Sequence, residues 1–557
     1  MVRSFLSAFG KEARGMHEAA YLLAAFALGS QLLALVRDRL LAAHFGASHT
    51  LDLYYAAFRI PDFLFATVAS LLSLYALLPV MTRLEKRHPG LMISFLEQCL
   101  LVFFVAMGAI SFIIFLVAPY LVPFIAPGIN DPNLVLLVRI LLLQPILLGA
   151  SNIVGSLTQL RHRFFLYSIS PLLYNLGIIF GTVFLYPHWG IAGLGWGVVL
   201  GALMHFSIQL PFFGAERSTD RLPVKEMFTE LTYVLKLSVP RTLALAATQV
   251  SLLILVALAS YLSAGSISIF MFAYNLQAVP LTIIGVSYSV AAFPTLARLH
   301  AAGDHGEFVR YIETALRHIF FWCIPAMIFV IVLRAQLVRV ILGAGAFDWS
   351  ATRLTAAALA LFIISLAAQS VTLLIARAYY AAGNTRKPLY YGFADISVSV
   401  VSALFFVFLF HTNIFARDFI EALLRVGDVP GTVVLMLALG YSLGSIAEFL
   451  VGLFFFMRDF KIPALRISSL LFQSFSASII GGAASYLFLL YTGLAGTINT
   501  TWLLIAQGAV AGLLGLSVTA GILLLLKNQE FAEAASAFRR RFRDTTGVPI
   551  ETTDISS

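Results

Sequence analysis

Charged side chains within long apolar stretches are the residues of this chain that could do chemistry. Arg37 lies in the first such stretch, and Asp52, Arg59 and Asp62 lie in the second. An ion at the centre of a bilayer costs about 3 kcal/mol, so these groups should face protein or water. The planar donor fork of arginine suits a diphosphate group. Arg37, Arg59 and the later Arg241 are therefore candidate ligands for an anionic substrate in a central cavity.

The carboxylates in these stretches indicate how the positive charges could be balanced. We expect Arg37 to pair with Asp52. We also expect Arg59 to pair with Asp62, because three positions separate neighbours on one face of a helix. The alternative is that the arginines lie near the membrane surface, where long side chains extend to lipid head groups at small cost.

Further polar residues lie in the predicted spans. Gln31 and Asn275 are neutral polar positions in spans one and eight. Asp395 and Glu448, in spans eleven and twelve, could bind a cation or a proton, but hydrogen bonding between helices explains them more simply. The pair Tyr54 and Tyr55 is typical of packing or of the aromatic belt at a membrane surface.

The composition indicates the class of protein that positions these residues. Of 557 residues, 60% are hydrophobic and 11% are charged, whereas soluble domains carry roughly 25% charged residues. A soluble domain needs a polar exterior that this composition cannot supply. The chain is therefore predicted to be an all-α integral membrane protein. Its two cysteines, Cys99 and Cys323, lie in apolar stretches without metal-ligand spacing.

About fourteen windows are long and apolar enough to cross a bilayer as helices, since a core of roughly 30 Å needs about 20 residues. Their continuous hydrophobicity excludes a β-barrel, whose strands alternate between apolar and polar residues. The windows are 18–43, 51–82, 91–120, 134–159, 165–186, 190–213, 231–262, 265–297, 312–342, 352–382, 389–411, 430–457, 466–491 and 501–526.

The basic residues orient these spans. Most of the 36 Lys and Arg residues fall in alternate loops and in the C-terminal tail, which the positive-inside rule places in the cytoplasm. Both termini are therefore predicted to be cytoplasmic. This topology accounts for the net charge of +9, so a nucleic-acid partner is not expected.

Two short patterns indicate an internal repeat. The pattern A-x-x-P-x-x-x-R-L ends span two at 76–84 and span eight at 291–299. The pattern P-L-x-Y at 171–174 recurs at 388–391 with nearly the same offset. Duplication of a six-span unit explains both recurrences, and coincidence among apolar residues is the alternative. An even number of spans makes the two copies parallel.

The repeat predicts the organisation of the whole chain. Two six-helix lobes cover 18–213 and 231–457, and helices 13 and 14 follow at 466–526. The tail, 527–557, is basic and amphipathic, and we expect it to lie on the anionic inner leaflet. Substrate sites in proteins built this way usually lie between the two halves.

The opening of the chain carries the most specific motif. Residues 35–47, L-V-R-D-R-L-L-A-A-H-F-G-A, and 52–61, D-L-Y-Y-A-A-F-R-I-P, resemble the first two spans of the MurJ/MviN family. Members of that family are lipid II flippases of the multidrug/oligosaccharidyl-lipid/polysaccharide exporter superfamily. Residues 251–280 are similar to the family's spans seven and eight, and the fourteen spans match its architecture.

This resemblance implies a transporter and not an enzyme. Such a flippase moves an undecaprenyl-diphosphate-linked peptidoglycan precursor from the cytoplasmic to the outer leaflet of the bacterial inner membrane by alternating access. No cofactor is implied, and the driving force would be the membrane potential, Na+ or H+. The implied partners are the lipid-linked saccharide and membrane lipids, and cell-wall synthesis proteins are a further candidate.

The site residues of the family match this chain only in part. Arg37 and Asp52 match family residues. A second cavity arginine of span one corresponds to Gln31, and the cavity arginine of span eight corresponds to Asn275. An arginine pair, an acidic residue and a glycine of span two fall on Phe65, Ala66, Ser70 and Leu71. Much of the family's positive charge is therefore absent, and other arginines of this chain are candidate replacements.

Three other functions are compatible with the sequence. A transporter of the same fold could carry another lipid-linked oligosaccharide or a small cation. A membrane-embedded glycosyltransferase would need outward-facing carboxylates, for which the loop 412–429 offers Asp418, Glu421 and Asp428. A non-transporting scaffold would tolerate apolar substitution of the candidate arginines.

Overall fold

The computed structural model describes residues 16–544 apart from 73, 88, 162, 216–220, 463–466 and 495–500. These residues form helices joined by short turns, and no strand occurs among them. The all-α prediction is therefore confirmed. The side chain of Arg241 and the end of the predicted tail, 545–557, lie outside the described part of the chain.

The helices range from single turns to continuous rods of 37 residues. In chain order they are α1 (Met16–Phe45), α2 (His49–Ala57), α3 (Arg59–Thr67), α4 (Leu74–Arg87), α5 (Pro89–Ile125), α6 (Pro132–Leu141), α7 (Leu143–Leu160), α8 (Phe164–Phe180), α9 (Tyr186–Trp189), α10 (Ile191–Ser207), α11 (Leu210–Ala215), α12 (Val224–Ser260), α13 (Ser266–Leu281), α14 (Ser287–Ala301), α15 (His305–Val332), α16 (Arg334–Leu342), α17 (Trp349–Ile363), α18 (Leu366–Ala381), α19 (Lys387–Thr412), α20 (Ile414–Leu424), α21 (Val434–Asp459), α22 (Ser468–Leu494), α23 (Thr501–Leu525) and α24 (Gln529–Asp544).

The predicted membrane windows coincide with these helices. Among the described residues, twelve helical segments are long and apolar enough to span a bilayer, and α17 with α18, bent by 45°, makes a thirteenth. The first window, 18–43, coincides with α1, which is 30 residues long and carries three consecutive charged residues at 37–39. The protein is therefore a multi-pass membrane protein.

The helices pack into two compact units. Unit 1 is built from the described residues of Met1–Val279, Val338–Ala368 and Gly383–Phe455, and unit 2 from those of Pro280–Leu337, Gln369–Ala382 and Phe456–Ser557. In unit 1, α8 packs against α1 and α10, and α12 packs against α3 and α19. In unit 2, α22 packs against α15 and α23. The predicted lobes, 18–213 and 231–457, stay a prediction.

The second span is interrupted along its length. After α2 ends at Ala57, α3 runs to Thr67, a 3-10 turn covers Ala69–Leu72, and α4 begins at Leu74. Pro61 fits because it lies in the first turn of α3, where backbone N–H groups have no partner within the helix. These breaks turn successive parts of one span toward different neighbours.

Glycines permit a close contact between two helices in unit 1. A Cβ atom at Gly197 of α10 would lie 2.4 Å from the Cα of Gly181, and one at Gly177 of α8 would lie 2.2 Å from the Cα of Gly201. Real Cβ atoms do not approach so closely, so the backbones of the two helices are in direct contact. This contact fixes α8, which in turn packs on α1.

We expect Gly197→Ala to destabilise the protein by about 1–3 kcal/mol, the usual cost of overpacking a close contact. The measurement is thermal unfolding of the purified protein in detergent. Gly108→Ala in α5 is the matched control, because no atom lies within 4 Å of its added Cβ. Equal unfolding temperatures for the two variants would contradict a rigid contact between α8 and α10.

Candidate functional site

A cavity of about 270 Å³ lies within unit 1, beside the first break in the second span. Sites for drug-sized ligands occupy about 300–1,000 Å³, so this conformation has room for only a small polar group. Seven helices supply the walls: Arg37 and Leu41 from α1, Tyr54 and Tyr55 from α2, Phe58, Arg59 and Asp62 at and within α3, Gln144 from α7, Tyr174 and Ile178 from α8, Gln249 and Leu252 from α12, and Met271, Tyr274 and Asn275 from α13.

Arg37 is the centre of a hydrogen-bond network in the cavity wall. Its Nε and Nη2 donate to Oδ1 of Asp38 at 2.9 and 2.8 Å, and its Nη1 donates to Oδ1 of Asn175 at 3.0 Å. The other carboxylate oxygen of Asp38 accepts from Nδ2 of Asn275 at 3.1 Å. Asp38 is 3% exposed, so the guanidinium is held by a buried counterion. The network joins α1, α8 and α13.

Arg59 is the second cation of the cavity and is held more loosely. Its Nη2 lies 3.4 Å from Oδ2 of Asp62, and its Nε donates to the carbonyl oxygen of Tyr55 at 3.3 Å. The predicted pair of Arg59 and Asp62 is therefore present. The Arg59 side chain is 6% exposed and that of Asp62 is 30% exposed, so the carboxylate is the more accessible partner.

Aromatic and amide side chains complete the walls. Gln144 donates from Nε2 to the hydroxyl of Tyr174 at 3.2 Å. Tyr54 and Tyr55 are buried and contact each other with ring centroids 5.4 Å apart, as expected of packing aromatics, and both also line the cavity. Sequence analysis did not select Gln144, Tyr174 or Tyr274, because apolar spans give no periodic signal that separates a cavity wall from a packed face.

Asp52 does not pair with Arg37, and that prediction was wrong. Its carboxylate accepts the N–H of Gly265 at 2.6 Å, the N–H of Ser268 at 2.7 Å and the hydroxyl of Ser268 at 2.6 Å. It therefore caps the first turn of α13, where backbone donors and the helix dipole favour a negative charge. Because the adjacent Asp38 already forms the ion pair with Arg37, the carboxylate of Asp52 can hydrogen-bond the first turn of α13.

The two predicted lobes meet on both sides of the cavity. Gly265 has φ +90°, and a Cβ there would lie 2.5 Å from the carbonyl oxygen of Ala47. Further along the second span, Oγ of Ser70 lies 3.1 Å from Oγ1 of Thr242 in α12. The first contact lies at the end predicted to face away from the cytoplasm, and the second lies toward the cytoplasmic end.

Asp395 and Glu448 form a second polar site in unit 1. Ser399 donates to Oδ1 of Asp395 at 3.2 Å. Glu448 of α21 interacts electrostatically with Asp395. No group of three or more Asp, Glu, His or Cys side chains that could hold a metal ion occurs among the described residues.

The loop 412–429 does not assemble a catalytic site. Glu421 is buried and accepts hydrogen bonds from Thr432 at 2.6 Å and Arg417 at 3.0 Å. Asp428 accepts two from Arg353, at 2.6 and 2.5 Å, and these hold the pKa of Asp428 below its usual range. Glu421 and Asp428 are therefore held by side chains of the chain itself, whereas Asp418 lies exposed on α20.

The remaining predicted residues lie elsewhere. Gln31 is half-buried on α1 and is not one of the side chains that line the cavity. Arg39 donates to a carbonyl oxygen at the end of α16 at 2.5 Å, where the helix dipole favours a cation. Arg377 lies over the ring of Phe293, 5.9 Å from its centroid. The side chain of Arg241 lies outside the described residues.

Known proteins with the same fold are membrane transporters. The structure of a lipid II flippase MurJ in an inward closed conformation matches with a TM-score of 0.71 and 21% identity, covering 91% of this chain and 100% of that chain. The inward-facing structure of a multidrug resistance MATE family transporter of the MOP superfamily matches with a TM-score of 0.63 and 14% identity, covering 78% and 96%.

Sequence comparison defines the family. The family described as lipid II flippase MurJ matches residues 41–506. Lipid II flippase MurJ of Burkholderia cenocepacia is 25% identical over 398 residues, covering 69% of this chain and 76% of that protein. The probable lipid II flippase MurJ of Thermotoga maritima is 27% identical over 483 residues, covering 80% and 96%.

The helical spans and their internal charged cavity define a multi-pass membrane protein with the fold that these transporters share. Because the family match spans most of its length, this chain belongs to the MurJ family of lipid II flippases. The resemblance of its opening motif is confirmed. Members of this family are transporters and not enzymes, and the comparisons give no support to the other functions compatible with the sequence.

We expect Asp52→Ala to loosen the contact between α2 and α13, since hydrogen bonds to a charged group contribute about 1.5–3 kcal/mol each. The measurement is the rate at which a membrane-impermeant maleimide labels a cysteine placed at Gln249 in the cavity wall. Labelling should be faster in Asp52→Ala, whereas Ser268→Ala, which removes one of the three donors, should have a smaller effect. An unchanged rate in Asp52→Ala would show that the contact does not control access.

Proposed function

We propose that this protein moves lipid II, a polyprenyl-diphosphate-linked peptidoglycan precursor, from the cytoplasmic to the outer leaflet of the bacterial inner membrane. The observation that supports this most directly is the cavity that holds Arg37 and Arg59 among the spans of a MurJ-family chain. Guanidinium groups bind phosphate oxygens with two parallel hydrogen bonds. The prenyl tail stays in the bilayer while the diphosphate head group crosses beside the arginines.

The contacts on both sides of the cavity fit an alternating-access cycle. Asp52 holds α13 on one side, and Ser70 contacts Thr242 on the other. Opening one set of contacts while the other stays closed exposes the cavity to one leaflet at a time. The volume of about 270 Å³ is too small for the whole saccharide head group, so the cavity must widen during transport.

The two arginines differ in how readily they exchange partners. Arg37 donates two hydrogen bonds to Asp38 at 2.8 and 2.9 Å, whereas Arg59 reaches Asp62 at only 3.4 Å. A diphosphate that enters the cavity therefore displaces Asp62 more easily than Asp38. Arg59 is the first ligand of the head group in this cycle, and Arg37 becomes available once α1 and α13 move.

The direction and the driving force complete the proposal. The distribution of basic residues supports a cytoplasmic location for both termini. Asp395 and Glu448, which interact within unit 1, are the candidate site for H+ or Na+, since two nearby carboxylates exchange a cation when their surroundings change. The membrane potential is a further source of energy for a charged head group, and cell-wall synthesis proteins are candidate partners.

We expect Arg37→Gln and Arg59→Gln each to reduce transport at least about tenfold, because losing one charge-assisted hydrogen bond costs roughly 1.5–3 kcal/mol. The measurement is complementation of a strain depleted of its own lipid II flippase, with an assay of precursor exposed on the outer leaflet. Arg377→Gln is the control, since Arg377 stacks on Phe293 and does not line the cavity. Failure of the well-expressed wild type to support growth or to expose precursor would refute lipid II transport.

We expect Asp395→Asn and Glu448→Gln to remove the dependence of transport on a gradient of H+ or Na+. The neutral amides keep the hydrogen-bonding shape but cannot exchange a charge. The measurement is precursor flipping in proteoliposomes with the pH gradient and the Na+ gradient varied separately. If both variants respond to the gradients as the wild type does, these carboxylates serve only to join helices.

A further inference from the structure

A second cavity, an open surface groove of about 640 Å³ lined by residues of α4, lies in unit 1 at the end of α4 that follows the broken part of span two. It is separate from the central cavity, and none of the residues that line one cavity lines the other. Its lining residues are Leu78, Pro79, Thr82, Arg83, Lys86 and Arg87. We call it the α4 cavity.

The rim of the α4 cavity is positively charged. Arg83 forms an ion pair with Glu230 of α12, and its guanidinium also lies over the ring of Tyr233, 5.4 Å from the centroid. Arg87 forms an ion pair with Glu226 of the same helix. Both arginines are about half exposed, at 51% and 55%, so a soluble or interfacial anion can reach them.

The third cation of the rim, Lys86, is exposed and forms no ion pair with any side chain that the structure describes. The rim therefore carries three positive charges against the two glutamates that face it from α12. Arg83 and Arg87 are one helical turn apart, which places their side chains on one face about 5–6 Å apart at the Cβ atoms. Two linked phosphoryl groups fit two guanidinium groups at this spacing.

The wall below the rim is apolar. Leu78 and Pro79 line it from α4, and the neighbouring part of α12 exposes Tyr233 and Leu237. A cationic rim above an apolar wall fits an amphiphile with an anionic head group and a hydrocarbon tail. A soluble nucleotide or free phosphate would leave the apolar wall uncovered.

We propose that the α4 cavity is a capture subsite for the diphosphate head group of a polyprenyl lipid in the cytoplasmic leaflet. This inference rests on the proposed function, because it takes the end of α4 to be cytoplasmic. The head group binds Arg83, Lys86 and Arg87 and takes the place of Glu226 and Glu230. The lipid binds at this subsite first and then moves into the central cavity.

Capture also acts on the contact between the lobes. The two ion pairs and the Arg83–Tyr233 contact link α4 to α12, on the predicted cytoplasmic side of the Ser70–Thr242 contact. The arginines of these pairs are half exposed, so water screens the pairs in part and a doubly charged head group competes with the glutamates for them. When it binds, α4 and α12 lose their ionic links, which favours opening of the cytoplasmic side.

Two sets of variants that break the same ion pairs test this proposal. Glu226→Gln with Glu230→Gln frees the three cations, whereas Arg83→Gln with Lys86→Gln and Arg87→Gln removes them. The probe is undecaprenyl diphosphate, and the measurement is its Kd for the full chain in phosphatidylcholine nanodiscs by native mass spectrometry. Both sets carry Arg37→Gln and Arg59→Gln, so that the central cavity does not contribute.

We expect the glutamate variant to bind at least about tenfold more tightly than its parent and the cationic variant at least about tenfold more weakly, a factor that corresponds to one charge-assisted hydrogen bond. If the ion pairs had a purely structural role, the Kd for undecaprenyl diphosphate would change in the same direction in both variants. That result would overturn the proposal. Equal binding of phosphatidylglycerol would also overturn it, since the rim would then be a general anionic-lipid surface.

A charge-conserving variant covers the case in which the triple variant fails to fold. Arg83→Lys with Arg87→Lys keeps the ion pairs but removes the planar forks, so it should bind undecaprenyl diphosphate more weakly and undecaprenyl monophosphate about as the parent does. Equal loss for both lipids would overturn the assignment of a diphosphate.

Opening is followed separately in the chain with its native arginines. Spin labels at Thr82→Cys in α4 and Thr229→Cys in α12 report the distance between these helices, while Cys99 and Cys323 are buried. Undecaprenyl diphosphate should lengthen this distance, and an unchanged distance would refute coupling between capture and opening.

The two proposals can fail independently. If the chain captures the diphosphate lipid but does not flip lipid II, the proposed function fails and the capture subsite stands. If it flips lipid II and the two sets of variants bind alike, the subsite fails and the proposed function stands.

Discussion

The structure depends on one constraint, which is that each of the two arginines in the cavity wall must be supplied with a counterion by the chain itself. Asp38 does this for Arg37, and Asp62 does it for Arg59. Each carboxylate stabilises its arginine within the membrane spans. Each carboxylate must also release that arginine before an anionic head group can bind to it. The same pairs that allow the helices to assemble therefore set the order in which the arginines become available.

The constraint also explains how the site is connected to the rest of unit 1. Asp38 binds Asn275 as well as Arg37, so a change at the arginine is transmitted from α1 to α13. Asp52 holds the first turn of the same helix. Movement of α13 therefore alters both the cavity and the contact that closes it, which is the physical requirement for alternating access.

The structure shows the surroundings of two residues, Asn275 and Gln31, at which this chain differs from the family's pattern. Asn275, the position that the resemblance matches to a cavity arginine of the family, lines the cavity and donates to Asp38. Gln31 lies outside the lining of the cavity. Among the side chains that the structure describes, the cavity lining contains two arginines, each with its own carboxylate, and tyrosines form much of the remaining wall. Positive charge is instead concentrated at the rim of the α4 cavity, where Arg83, Lys86 and Arg87 lie together.

The sequence by itself determined the class of protein, the helical windows and the residues that carry the family resemblance, because hydropathy and local motifs depend only on neighbours along the chain. It also indicated the pair of Arg59 and Asp62, which are three positions apart on one helix. The tertiary structure alone decided that Asp52 caps α13 and leaves Arg37 to Asp38. It also brought Gln144 and Tyr174 into the cavity and placed Glu226 and Glu230 against α4. These choices depend on contacts between helices distant in sequence, where several acceptors compete for one donor and only the packed backbone selects among them.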